Sequence, residues 1–393
     1  RDRMSATPRH SGSHRRRFAV LALMCMLAMP ASASGQSATL STWDTSRIVM
    51  TENAIADVGV SGSHVVWRTY SSHWSESTFH RIMDWEVGDS SPTTISATRV
   101  VRGPVVSGER VAWVAKDASG DYHIYEWHDG ASSSLEIGSA SEFMGYLRIR
   151  GTRLAWIQRN TGGVQSVYTY AIGDASPTRI STTEMSYSQA VRLSSTGRIA
   201  WEAKVNDVYH IFTWKPGYDE PLRLTTGDDL HWAPNVSGDR VVWNETVNGH
   251  RQVFTWKPGY GAARQVTYSH VNKYYPEVSG ARIIWLQRDS AGVMQVYTHV
   301  MGVAGTAKYT NASSSARSPA LYGSRLTWRR DVDSNGEYQV FTRSPGESGE
   351  TMLSSGSGYC GAPAISGDRI AFERHVGSGG DVTWALYLAT LGQ

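Results

Sequence analysis

Short apolar runs alternate with polar turns along this chain, and no segment sustains an i, i+3, i+4, i+7 apolar spacing, so the pattern predicts strands and almost no helix. One unit returns eight times: a small-residue turn, usually Ser-Gly, then a basic residue, two small or β-branched residues and an aromatic. It reads Ser61-Gly-Ser-His-Val-Val-Trp67, Ser107-Gly-Glu-Arg-Val-Ala-Trp113, Arg150-Gly-Thr-Arg-Leu-Ala-Trp156 and Ser195-Thr-Gly-Arg-Ile-Ala-Trp201. It continues as Ser237-Gly-Asp-Arg-Val-Val-Trp243, Ser279-Gly-Ala-Arg-Ile-Ile-Trp285, Tyr322-Gly-Ser-Arg-Leu-Thr-Trp328 and Ser366-Gly-Asp-Arg-Ile-Ala-Phe372. Successive aromatics are 42 to 46 residues apart, the period of a four-stranded propeller blade and too long for a leucine-rich repeat.

Turn chemistry places the strands inside each unit. In the fifth, Asn248-Gly249 supplies the positive φ that a two-residue hairpin needs, and Pro258-Gly259 turns the chain toward an outer strand. The last repeat ends at Gln393 after three strands, while residues 46–51 have strand composition and Ile48 stands where an outermost apolar residue belongs, 14 residues before Gly62. The expected fold is therefore all-β: a β-propeller of eight four-stranded blades over residues 42–393, closed by the N-terminal strand completing the C-terminal blade.

The unit Pro-x-Val-Ser-Gly-Asp-Arg-Val-Val-Trp, followed by a polar hairpin and a Val-Phe or Ile-Tyr strand, resembles the TolB-type (TolB-like, WD40-like) propeller repeats of secreted bacterial and archaeal proteins. That resemblance implies a blade and no particular activity. Ser-Gly-Asp-Arg stands where those repeats usually have Ser-Pro-Asp-Gly, and eight units exceed the six of TolB; with no separate N-terminal domain of the TolB kind read before the ring, a role in the Tol envelope system is not expected to carry over.

Composition changes the picture mainly at the N-terminus. Arg15, Arg16 and Arg17 precede twelve apolar residues and then Pro30-Ala-Ser-Ala33, the pattern of an export signal over residues 1–33, with a twin-arginine type open. As a helix the apolar run would span about 18 Å against a hydrocarbon core of roughly 30 Å, so no membrane anchor is expected after cleavage. Residues 34–41 are a short polar lead-in. Removing the signal takes away six Arg and one Asp and moves the formal charge from +3 to −2, which leaves no overall field for nucleic acid or an anionic membrane. Of Cys25 and Cys360 only the second would remain, so no internal disulfide is expected. The mature protein is expected to be secreted, extracellular or periplasmic, and monomeric.

Fifteen Trp could form a ring of sugar-stacking platforms, but residues recurring at one position of every blade are expected to pack blade on blade. The Arg column (Arg110, Arg153, Arg198, Arg240, Arg282, Arg325 and Arg369) is expected to bond locally. Asp331, Asp333 and Asn335 match the first half of a calcium loop, yet the twelfth position is Thr342, and other blades carry ordinary hairpins there. No other cofactor is expected.

The least repetitive segments are the connections from one blade's outer strand to the next blade's inner strand, which gather at the channel mouth. They carry the candidate ligand-binding residues Tyr187, Asp228, Asp229, His231, Trp232, His270, Lys273, Tyr274, Tyr275 and Tyr359. The expected function is non-catalytic binding of a protein or glycan partner by these loops. The alternatives are a polysaccharide-processing lyase or hydrolase using a metal shared by His231 and His270, or a lectin with repeated pockets. No Gly-x-Ser-x-Gly elbow, His-Glu-x-x-His or phosphate loop is present.

Overall fold

A computed structural model describes residues 41–70, 80–96, 99–182, 185, 187–376 and 382–392. The expected signal segment and nearly all of the lead-in lie outside these residues. Within them every regular element is a strand, and the strands form eight antiparallel sheets that follow one another along the chain: an eight-bladed β-propeller. Blade five shows the plan. His231–Ser237 lies innermost, followed outward by Arg240–Val247, His250–Trp256 and Arg264–Gln265. Its central hairpin turns at Asn248 and Gly249, with φ of 50° and 77°, the two left-handed positions of a type I′ turn.

The ring closes as the strand count requires. Trp43–Thr51 pairs antiparallel with Thr383–Leu391, from Trp43 opposite Leu391 to Thr51 opposite Trp384. The outer strand of the last blade therefore comes from the start of the described chain, and no open array edge remains between first and last blades.

Eight apolar clusters hold the blades together, one at each interface. Trp201, for example, packs with Ala155, Ile157 and Val167 of the preceding blade, and Trp67 with Ala371, Leu386 and Leu388 across the closure. The seven repeat Trp and Phe372 are at most 2% exposed. From Trp113 onward each lies nearly parallel to a third-strand aromatic, with ring centroids 5.6–6.4 Å apart. The blade-packing reading of the Trp column thus holds for these rings, which have no face left for a sugar.

The Arg column bonds locally. Arg153, Arg240 and Arg282 reach the hydroxyls of Thr169, Thr255 and Thr298 at 3.1–3.3 Å. Arg198 adds Asp239 at 3.1 Å and lies 5.4 Å over the Trp256 ring of the next blade, a cation–π contact across an interface.

In blades three to seven the outer strand is only two residues long, shorter than the repeat suggests. A hydroxyl takes over where the ladder stops: Ser181, Thr225, Thr267, Thr310 and Ser354 each accept from a third-strand N–H at 2.9–3.1 Å. In three of these blades the same hydroxyl donates to Gln252, Gln295 or Gln339, whose amide reaches a carbonyl of the connection to the next blade. Side-chain bonds replace a longer edge strand and pin the loops that lead to the channel.

Candidate functional site

The inner strands line the central channel, and each carries a bulge. Opposite the residue preceding the repeat aromatic stand, in blade order, Gly59, Val105, Arg148, Arg192, Asn235, Glu277, Ala320 and Ala364. Two residues earlier, Asp57, Tyr146, Ala190, Ala233, Tyr275 and Ser318 have φ of 46–55°. Left-handed backbone at a non-glycine residue costs on the order of 1 kcal/mol. Repeated in six blades, it bends each strand where it enters the channel and re-aims the next side chains.

At the other end the repeat's Ser-Gly turns are stitched together. Gly108, Gly151, Gly280 and Gly323 donate their N–H to Ser61, Ser107, Ser237 and Ser279 of the preceding blade at 2.8–3.1 Å. Glycine is required there because the turn sits at φ near 60°. In blades three and seven Arg150 and Tyr322 replace that Ser.

A hollow of about 700 Å³ opens between the bulges of blades four to eight. Pro234, Pro276, Pro319 and Pro363 form its walls, with Arg192, Asn235, Tyr275, Glu277, Arg317 and Arg329 among its polar groups. On the other side of the mouth a space of about 320 Å³ is lined by Arg102, Phe143, Tyr146, Arg159, Gln165 and Tyr187. Burial pushes the Glu277 carboxyl up to about 7, although Arg192 and the Leu321 N–H favour its ionised form. Burial also lowers Arg148 to about 9, assisted by its neighbours Arg192 and Arg150.

The candidate residues scatter over this mouth. Tyr275 is 67% exposed and lines the large hollow; Tyr187 lines the smaller one and meets Tyr209 edge to face. Trp232 and Tyr274 are joined by Arg251, which lies 4.9 and 5.2 Å over their rings. Tyr359 accepts from Arg329 and packs on Tyr338. Asp228, Asp229 and His270 are exposed at the rim, and His270 faces His250 at 5.3 Å.

Two residues sit differently from the expectation of an open loop. His231 and Lys273 are each 1% exposed, because they begin an inner strand on its buried side. His231 bonds the Tyr209 carbonyl at 3.0 Å and packs on His210, while Lys273 ties down Ser269 and Val271. Both hold connections in place. His231 and His270 therefore engage separate partners, and among the described residues no group of three or more His, Cys, Asp or Glu is placed to hold a metal. The Asp331 carboxylate accepts from the N–H groups of Asn335 and Gly336 at 3.2 and 2.8 Å, as a hairpin turn does, and Asp333 and Asn335 are exposed.

Arg148, Arg192, Glu277 and Arg251 were not among the candidates. The first three had one available signal: they occupy an inner-strand column in which charge varies in sign from blade to blade.

No known protein family and no curated protein matches this chain in sequence. In structure it is similar to the β-propeller domain of the Trilobed protease from Pyrococcus furiosus, with 10% identity over 77% of this chain and 98% of that one and a TM-score of 0.56. It is also similar to the Pyrococcus horikoshii acylaminoacyl peptidase, with 12% identity, 83% and 58% covered and a TM-score of 0.54. The chain thus spans little over half of that peptidase. TolB from Acinetobacter baumannii aligns with 14% identity, 77% and 82% covered, at a TM-score of 0.41, too low to carry weight. These likenesses establish the propeller fold alone. The Pyrococcus furiosus domain is described as having an open velcro topology, whereas here Trp43–Thr51 closes the ring.

Proposed function

We propose that this protein is a non-catalytic binding scaffold that takes an extended segment of a partner protein into the channel mouth, at the cell surface or outside the cell. The observation that carries this reading is the hollow of about 700 Å³ walled by prolines and alanines and edged by Tyr275, Arg317 and Arg329. Arginine and tyrosine are the residues that protein interfaces concentrate at their centres. A peptide is favoured over a glycan because the repeat Trp are consumed in blade packing and Trp232 is sandwiched with Arg251. The hollow is one continuous space reaching from blade four to blade eight, which favours a single site at the mouth. The extracellular setting rests on the N-terminal sequence pattern.

Selection of peptides from a random display library against the full chain, with a glycan array in parallel, tests the reading. Selected peptides should bind one per chain and lose affinity with Tyr275→Ala. Glycan binding without any Tyr275-dependent peptide would overturn it.

A further inference from the structure

The channel lining carries positive charge that the carboxylates of the blades offset only in part. Adjacent blades place Arg148 and Arg192 at one register position, and Arg150 lies two residues further along the same strand as Arg148. Each guanidinium bonds the carbonyl of the residue before it: Leu147 at 2.7 Å, Val191 at 3.1 Å and Ile149 at 3.0 Å. A guanidinium has five N–H donors, so most of each fork remains for something in the channel. None of the three forms an ion pair with a carboxylate among the described residues.

Of the nearby carboxylates, Glu202 and Glu277 favour the charge of Arg192 without forming an ion pair with it. Asp57 pairs with Arg68 at 2.8 Å, Glu202 accepts from Gln189 and from the Ala233 N–H, and Glu277 accepts from the Leu321 N–H. At the mouth Arg102 and Arg317 are exposed, resting 5.0 and 5.6 Å from the rings of Phe143 and Tyr338 without a carboxylate partner among the described residues. The chain expected after export carries a formal charge of −2, so this local excess runs against the whole.

We propose that the channel is an anion site for the acidic side chains of an extended peptide, with Arg148 and Arg192 inside and Arg317 at the entrance. The proposal rests on the peptide-binding reading above. Carboxylates suit the planar fork of arginine, which grips both oxygens at once. A peptide is preferred to a small free anion because the cations occupy successive levels of the inner strands. Arg317 stands three residues nearer the mouth than the level of Arg148 and Arg192, and Arg150 two residues deeper. At ~3.3 Å per residue those levels are ~7–10 Å apart, close to the ~7 Å repeat of alternate side chains on an extended chain. A phosphate ion would satisfy one level only. Burial and mutual repulsion already disfavour the charged form of Arg148, and the opposite charge of a carboxylate in the channel offsets their effect.

Calorimetry with the full chain tests this, using a short oligoglutamate, the matching oligoglutamine, inorganic phosphate and an oligogalacturonate as probes. Oligoglutamate should bind one per chain and weaken with added salt. It should lose at least about tenfold in affinity in the Arg148→Gln, Arg192→Gln variant, the loss of charge-assisted bonds. Should that variant fail to fold, arginine modification by phenylglyoxal on the unaltered protein gives a second readout: oligoglutamate should protect Arg148 and Arg192. Equal binding of oligoglutamate and oligoglutamine at the mouth would overturn the anion site and leave the peptide-binding reading standing. Binding of neither, with no library peptide selected, would overturn both. Phosphate or oligogalacturonate displacing the peptide at lower concentration than oligoglutamate itself would overturn the assignment to an acidic peptide.

Discussion

The blade interfaces and the channel lining are built from the same eight repeats and differ in how they use them. At the interfaces one position holds seven Trp and one Phe, all at most 2% exposed. In the channel one position holds Gly59, Val105, Arg148, Arg192, Asn235, Glu277, Ala320 and Ala364, four of them polar or charged and of both signs. A solenoid bent into a ring needs each unit to fit its neighbour, so packing positions converge on one solution. The lining touches water or a ligand and is released from that demand. The contrast separates what keeps the ring closed from what the ring does, and variants on each side should behave accordingly.

The largest effect should come from the closure. A chain beginning at Asn53 lacks Trp43–Thr51 and leaves the outer edge of Thr383–Leu391 unpaired, with Trp43, Ile48 and Val49 gone from two apolar clusters. A loss on the order of 5 kcal/mol or more is expected. Hydrogen exchange should show Thr383–Leu391 opening first, and unchanged thermal stability would mean that the first strand is dispensable. Next comes the interface itself: Trp201→Ala should cost about 3–5 kcal/mol in denaturant unfolding, the range for removing a fully buried aromatic. A much smaller loss would show that interfaces tolerate a missing ring, and the contrast between packing and lining would weaken.

How much of this was legible beforehand follows the same division. The Trp column, the Asn248-Gly249 hairpin and the borrowed outer strand could be read because they recur at a fixed period, or because their absence at one end of the chain exposes the count. The short outer strands could not, since a threonine that extends a ladder and one that caps it look identical in sequence. At the channel, the left-handed bulge falls on residues as different as Asp57, Tyr146 and Ala233, so no residue type announces it; a following proline in several blades is its sole trace. Without the bulge the alternation of in and out along an inner strand is miscounted. His231 and Lys273 then read as rim residues when they are buried, and Glu277 is passed over. Arg192 is further hidden because the turn after it, Ser194 to Gly197, is one residue longer than in its neighbours.

A titration can sharpen the contrast from the channel side. Glu277 has a folded pKa of about 7 against 4.5 for the free group, mainly through burial, with Arg192 and the Leu321 N–H pulling the other way. An acid whose folded value is raised stabilises least where it is ionised: no penalty exists below the unfolded value, and the penalty grows as pH rises from there through the folded value. Glu277→Gln should therefore leave stability at pH 4 unchanged and raise it above pH 7 by roughly 1–2 kcal/mol once solvent screening is allowed for. A variant that gains equally at both pH values would show that the carboxyl is neutral throughout. A variant that loses stability above pH 7 would show that Glu277 is anchored by Arg192 and belongs with the packing residues.

The smallest effect on stability is expected at the rim, and it is the most informative about function. Arg317 is exposed, lies 5.6 Å from the Tyr338 ring and has no carboxylate partner among the described residues, so Arg317→Gln should shift the unfolding free energy by no more than about 0.5 kcal/mol. Its one charge contact is with the Tyr338 ring among the described residues, yet it stands where a segment entering the hollow would pass. A rim charge acts chiefly on the rate of encounter. The variant should therefore bind oligoglutamate with a slower association and a shallower dependence on salt while its melting curve overlays that of the parent. A clear drop in melting temperature would place Arg317 among the residues that hold the blades, and the line drawn between packing and lining would have to move inward, to Arg148 and Arg192 alone.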